Sequence, residues 1–153
     1  MKRNQVIALS LFGFFLASPI ITAEEPHHET AAKEAQADHM LEAYSVLSTA
    51  LYKDDLEAAK KAAADMVKHD KDGAMSKHAQ AIADSKTLAE ARTHFKELSD
   101  LAIPVAKEKK MMHVMHCPMA FDNKGADWLQ SSAAEVQNPY FGAKMPHCGE
   151  AVK

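Results

Sequence analysis

Glycine is scarce where chains usually turn. Between Glu24 and Lys110 it occurs once, as Gly73, in a stretch dominated by alanine, lysine and acidic residues. Alanine has the highest helix propensity and long unbranched side chains follow it, so this half reads as helix. Basic residues do not dominate either. The 18 Lys and Arg are outnumbered by 21 Asp and Glu, and no basic stripe is present. Nucleic acid is therefore a poor partner, and the weak acidity serves solubility. Cysteine is limited to Cys117 and Cys148. Reactive dithiols usually sit as Cys-x-x-Cys at a helix start, and this spacing is far wider, which makes a thiol oxidoreductase a poor reading. Ser131-Ser132 has no recognisable base arrangement, so hydrolysis has no support and no enzyme is expected.

Long apolar runs are missing as well. The one candidate, Val6 to Ala17, follows Lys2-Arg3 and leads through Ser18-Pro19 to Ile21-Thr22-Ala23. It is too short to span a bilayer comfortably and has the layout of a secretory signal peptide, residues 1–23, cut after Ala23. The expectation is an exported, soluble, periplasmic protein with no membrane contact after cleavage. Without Lys2 and Arg3 the net charge moves from −3 to −5.

Residues 24–36, which include His27-His28, are expected as a flexible start to the first helix, and residues 37–153 as one domain. Within it, apolar residues recur at helical spacing in four stripes. Met40, Tyr44, Leu47 and Leu51 form the first; Leu56, Ala59, Ala63, Met66 and Val67 the second; Met75, Ala79 and Ile82 the third; Leu88, Ala91, Phe95, Leu98 and Ala102 the fourth. Asp54 or Asp55 can cap the second helix, Asp72-Gly73 separates the second from the third, and Thr87-Leu88-Ala89-Glu90 has the form of a capping box. Pro104 marks a kink or an end. The expected fold is mainly α: an antiparallel four-helix bundle to about residue 110, then an irregular or short-β segment, 111–153. Val114 and its neighbours suit a strand, Ala126 to Glu135 a helical turn or two. Asp122-Asn123-Lys124-Gly125 and Asn138-Pro139-Tyr140-Phe141-Gly142 are turn chemistry. His39, His69, His78 and His94 fall on predicted helices at no useful mutual spacing and read as solvated surface residues. No internal repeat is visible.

The chemistry is concentrated after Lys110. Residues 111–119 read MMHVMHCPM, and Met111, Met112, Met115, Met119 and Met145 are most of the chain's methionines. Two motifs bracket the segment: His116-Cys117-Pro118-Met119 and Met145-Pro146-His147-Cys148-Gly149. Each holds a cysteine, a histidine and a methionine. If the turns bring the motifs together, Cys117, Met119, Met145, Cys148, His116 and His147 form a candidate metal site, with Met115, His113 and Trp128 as accessories. Thiolate and thioether are soft donors that favour Cu(I), or Ag(I) as its softer analogue. Zinc would accept two cysteines and two histidines but gives no reason for the methionines. Trp128 could lie against the site, since an aromatic face also stabilises a cation. Two other readings stay open. Methionine clusters also serve as adaptable packing. Cys117 and Cys148 also suit a disulfide contributing about 3–4 kcal/mol, which would compete with a metal for the same sulfurs. That alternative makes the chain a protein-interaction module without metal.

The pattern Cys117-Pro118-Met119-Ala120, Gly125-Ala126-Asp127-Trp128-Leu129, Asn138-Pro139-Tyr140-Phe141-Gly142, Met145 and Cys148-Gly149 resembles an uncharacterised bacterial exported domain. That domain occurs alone or fused behind membrane-fusion adaptor subunits of copper/silver-type heavy-metal efflux pumps. Ala91-Arg92, Phe95 and Leu98-Ser99 resemble its last helix. The resemblance runs from about Tyr44 to Gly149. It implies a helical domain acting near metal efflux, with an efflux adaptor protein as partner. It carries over to Cys117, Met119, Met145 and Cys148; His113, His116 and His147 stand beside the pattern and rest on ligand chemistry.

Overall fold

The computed structural model describes residues 27–69 and 73–152, with side chains from residue 32 onward. The signal peptide expected over 1–23, the His27-His28 side chains and Asp72 lie outside what is described. Four long helices follow one another: α1 (His27–Tyr52), α2 (Leu56–His69), α3 (Ala74–Asp84) and α4 (Leu88–Lys109). Thus α1 already begins inside the stretch expected as a flexible entry. No described helix is long and apolar enough to cross a membrane.

The helix boundaries follow local chemistry. Asp54 turns left-handed (φ 57°) and ends α1. Asp55 caps α2, its carboxylate accepting from the Ala58 N–H at 2.9 Å. Thr87 caps α4 by accepting from the Glu90 N–H at 3.2 Å, while Glu90 reaches back to the N–H of Lys86 rather than to that of Thr87. The cap is therefore a capping box displaced by one residue. Pro104 does not end α4. The helix continues to Lys109, and both Pro104 and Asp100, whose carbonyl it leaves without an intrahelical donor, are exposed to water.

All four apolar stripes turn inward. Tyr44, Leu47, Leu51, Ala59, Ala63, Met66, Ala79, Ile82, Phe95 and Leu98 are fully buried. Each helix packs on its neighbour in sequence, and α1 also touches α4. The C-terminal segment then adds a three-stranded antiparallel sheet of order β2–β1–β3, made of β1 (His113–Cys117), β2 (Ala126–Gln130) and β3 (Glu150–Ala151). The fold is mainly helical with this small sheet at its end.

The helical turn expected over Ala126–Glu135 does not form. Ala126–Gln130 is extended and pairs with β1 along its whole length, Cys117 opposite Ala126 and His113 opposite Gln130. Pairing places Trp128 and Leu129 in the core, both essentially without exposure. Packing overrides a weak local preference. Residues 131–135 are exposed and irregular, held from one side by Gln130, whose amide donates to the Ser132 and Glu135 carbonyls.

Candidate functional site: a paired thiol beside a methionine-lined cavity

Strand geometry sorts the nonapeptide before any metal chemistry begins. Successive side chains of a strand point to opposite faces. Cys117 and Met115 are fully buried, and His116 is partly exposed on the other face. Met115 lies opposite Trp128 in the register and belongs to the core. Met111 and Met112 sit beyond the opposite end of β1 and line a cleft with Asp38, His39 and Glu42. His113 is exposed at the start of the strand.

The second cysteine arrives on the return segment, and Asn138 directs that return. Asn138 has no exposed surface. Its backbone N–H donates to Pro146 O at 2.8 Å, its side-chain amide donates to Cys148 O at 2.6 Å, and its side-chain oxygen accepts from Tyr140 N–H at 2.8 Å. One buried side chain thus ties the beginning of the loop to its end. Gly149 then passes over Trp128 and enters β3; a Cβ there would stand 2.7 Å from the indole ring and 2.8 Å from the His116 carbonyl. Trp128 therefore underlies the residue next to Cys148, and its ring stands edge-on to Tyr140 at 5.9 Å.

The result is a sulfur pair. Cys117 Sγ and Cys148 Sγ stand 3.1 Å apart, and both cysteines are free. A disulfide needs about 2.05 Å between sulfurs, and two thiolates on one tetrahedral ion at about 2.3 Å each need somewhat more than the observed separation. Either state is within about 1 Å of side-chain adjustment from this one, by the same bond lengths. The contact with Cys117, and then partial burial, push the Cys148 thiol above its ordinary range. Oxidation and metal capture must both displace protons here.

Met119 and Met145 share a cavity of about 590 Å³ with Arg92, Phe121, Tyr140 and Lys144, which neither cysteine lines. Met119, which is 47% exposed, is presented there by a turn in which Phe121, Asp122 and Asn123 all have left-handed φ (52°, 58° and 64°). Each such non-glycine residue costs about 1–2 kcal/mol. The turn is held by Gly125 N–H donating to Ala120 O at 3.0 Å and by Phe121 packing edge-on to Tyr140 at 5.3 Å. Backbone strain concentrates at functional sites, and here it lies on the cavity wall.

The histidines are turned elsewhere. His116 Nδ1 meets Asp127 Oδ1 at 2.6 Å, and the ring lies over Gly125, where a Cβ would come within 2.9 Å of it. His147 is exposed and bonds through Nδ1 to Val136 O at 2.8 Å. Among the described residues, no three His, Cys, Asp or Glu side chains converge on one point. The structure therefore brings together the cysteine pair, and separately the methionine pair on one cavity, while His113, His116, His147 and Met115 stand outside both groups.

Arg92 anchors the whole segment to the helices. Its guanidinium donates to Pro139 O at 2.8 Å and Leu51 O at 2.9 Å and pairs with Asp54. The other Asp54 oxygen accepts from Ala143 N–H at 2.9 Å, which, ahead of Arg92, holds the Asp54 carboxyl below the usual carboxylate range. Asp54 fills the space over Gly142 (φ 54°), where a Cβ would fall 2.1 Å from its oxygen. A second anchor is a buried relay: Leu129 N–H donates to Tyr44 Oη at 3.1 Å, the Tyr44 hydroxyl meets Ser99 Oγ at 2.7 Å, and Ser99 donates to Phe95 O at 2.8 Å. Burial keeps the Tyr44 and Tyr140 phenols protonated, far above their ordinary range. The importance of Asn138, Arg92 and Asp54 as organisers depends on contacts distant in sequence, and only the turn character of the Asn138 stretch signals any of it.

Residues 40–113 match a protein family. Its description is "Protein of unknown function (DUF3347)". The match covers α1 from Met40 through α4 and stops at the start of β1, ahead of both cysteines. The helical part is thus similar to an uncharacterised helical domain. No curated protein and no solved structure matches the chain.

Proposed function

We propose that this protein is an exported, periplasmic binder of a soft monovalent ion, Cu(I) or Ag(I), that buffers the ion or passes it to a heavy-metal efflux system through an adaptor protein. In this reading α1–α4 form an antiparallel four-helix bundle that serves as a rigid platform, and the C-terminal segment carries the chemistry. The carrying observation is the approach of Cys117 and Cys148 to 3.1 Å from positions 31 residues apart. Two cysteines delivered to each other by a buried asparagine form a built donor pair. The methionines on the cavity supply weaker, exchangeable donors, which suits capture followed by release. A zinc site of two cysteines and two histidines is less well supported, because His116 and His147 are engaged on other surfaces.

The same sulfur separation supports a second reading, in which the pair is a disulfide that pins the segment and the exposed methionines serve a protein partner. One experiment separates them. Thiols are counted in protein isolated under anaerobic conditions, and Cu(I) is then titrated against a competing chelator while Trp128 fluorescence is followed. Two titratable thiols, a one-to-one endpoint and loss of at least tenfold in affinity in Cys117→Ser and Cys148→Ser are expected. A disulfide that persists, with no copper response after reduction, favours the interaction module. Met119→Leu with Met145→Leu tests the thioethers: unchanged affinity removes them from the site.

A further inference from the structure

His39 and His69 are unrelated in sequence spacing, yet the packing of α1 on α2 stacks their rings. The centroids are 6.1 Å apart and the planes 18° from parallel. Both side chains are exposed at the rim of a cleft of about 250 Å³ between the two helices, with Glu42 one turn along α1, Asp65 one turn back along α2, and Ala62 and Val46 also lining it. The Gln36 side chain donates to the His69 carbonyl at 3.3 Å, joining the end of α2 to α1 at this point.

We propose that this cleft is a second metal site, for a divalent transition ion of the zinc or copper(II) class, with one imidazole from each helix as primary donors and a carboxylate completing the set. Imidazole with carboxylate suits borderline divalent ions, in contrast to the sulfur set at Cys117 and Cys148. Two nitrogens at about 2.0 Å from a shared ion leave ring centroids roughly 5–6 Å apart, so the observed separation is close to a chelating one, and the near-parallel rings have to turn to aim one nitrogen each at the ion. The third donor is not yet in place. Glu42, which is exposed, or Asp65, whose side chain is about half exposed, has to swing inward. Asp65 is held at 2.7 Å by Lys68, an exposed pair that is weak and easily exchanged. The ion would bridge α1 and α2 beside the end of α2.

The site uses none of the sulfur ligands, so it is tested in the full chain carrying Cys117→Ser and Cys148→Ser, with folding checked by circular dichroism. Zn²⁺ is titrated by calorimetry at pH 7.5, and histidine ring protons are followed by NMR. One equivalent is expected to shift the His39 and His69 resonances together, to raise the melting temperature, and to lose at least tenfold in affinity in either His39→Ala or His69→Ala. Unchanged affinity in either histidine variant overturns the proposal, as does the lack of saturation below millimolar zinc. Zinc binding seen in the unmodified chain but lost with the cysteines assigns the ion to the thiol pair and overturns it equally. Failure of Cu(I) to bind the thiols leaves this result untouched.

Discussion

The helical part and the C-terminal segment are held by different forces. In α1–α4 the cohesion is mainly apolar: alanines and a few large side chains are removed from water. After Lys110 the arrangement is directional. Asn138 and Gln130 each bond two or more backbone groups, Arg92 reaches in from α4 to the Pro139 carbonyl, and Gly142 and Gly149 occupy positions where a Cβ would collide. The first kind of structure tolerates substitution that preserves volume and pattern; the second depends on individual atoms. That division suits a platform carrying a site. In the proposed reading the two sulfurs have to be placed to within about half an ångström, and hydrogen bonds to a buried amide hold the return loop more directionally than alanine packing does.

The contrast breaks most severely in the helical core. Leu47→Ala empties the centre of that core and is expected to cost about 2–5 kcal/mol in urea unfolding, with both halves melting together. If the C-terminal segment kept its Trp128 signal after the helices had unfolded, the platform idea would fail. Gly142→Ala is expected next, at about 1–3 kcal/mol, because the new methyl meets Asp54 and the backbone is left-handed. Its effect should register in the segment, as weakened protection of the Ala143 and Tyr140 amides in hydrogen exchange. A smaller loss, about 1–2 kcal/mol, is expected for Tyr44→Phe, which leaves the Leu129 N–H without its acceptor and takes the nearer hydroxyl partner from Ser99 while keeping the ring in place.

The finest test is a pH dependence. Asp54 is depressed by the Ala143 N–H and Arg92, so its folded pKa lies below its unfolded value of about 3.9. It therefore contributes stability that is complete above that value and is lost as pH falls through the folded pKa. Melting temperature measured from pH 6 down to pH 2 should fall less steeply in Asp54→Asn than in the unmodified chain. Equal slopes would show that the loop is indifferent to this carboxylate.

Much of the helical part was legible because its determinants are local. The stripe Met40, Tyr44, Leu47, Leu51 announces a buried face by spacing alone, and all four are buried. The cap of α2 could be narrowed to Asp54 or Asp55 from position, and the Thr87–Glu90 box read in all but the N–H that Glu90 accepts. Ala126–Gln130 reads as helix in the sequence because nothing local makes it a strand; β1 does, by pairing with it. His39 and His69 look solitary in the sequence for the same reason, since their neighbourhood exists only when α1 packs on α2. At the sulfur pair the residue types could be read, and their grouping could not. His116 and Cys117 are adjacent in the chain, and strand alternation sends them to opposite faces.

By itself, the amino-acid order determined four amphipathic helices, the starts of the second and fourth, and a tail rich in cysteine, histidine and methionine, because each of these depends on residues within a turn or two of one another. Which donors meet was decided by tertiary structure alone. The Cys117–Cys148 approach requires a thirty-residue excursion to close, and closure depends on Asn138, Arg92 and Gly149 finding partners that no local window contains.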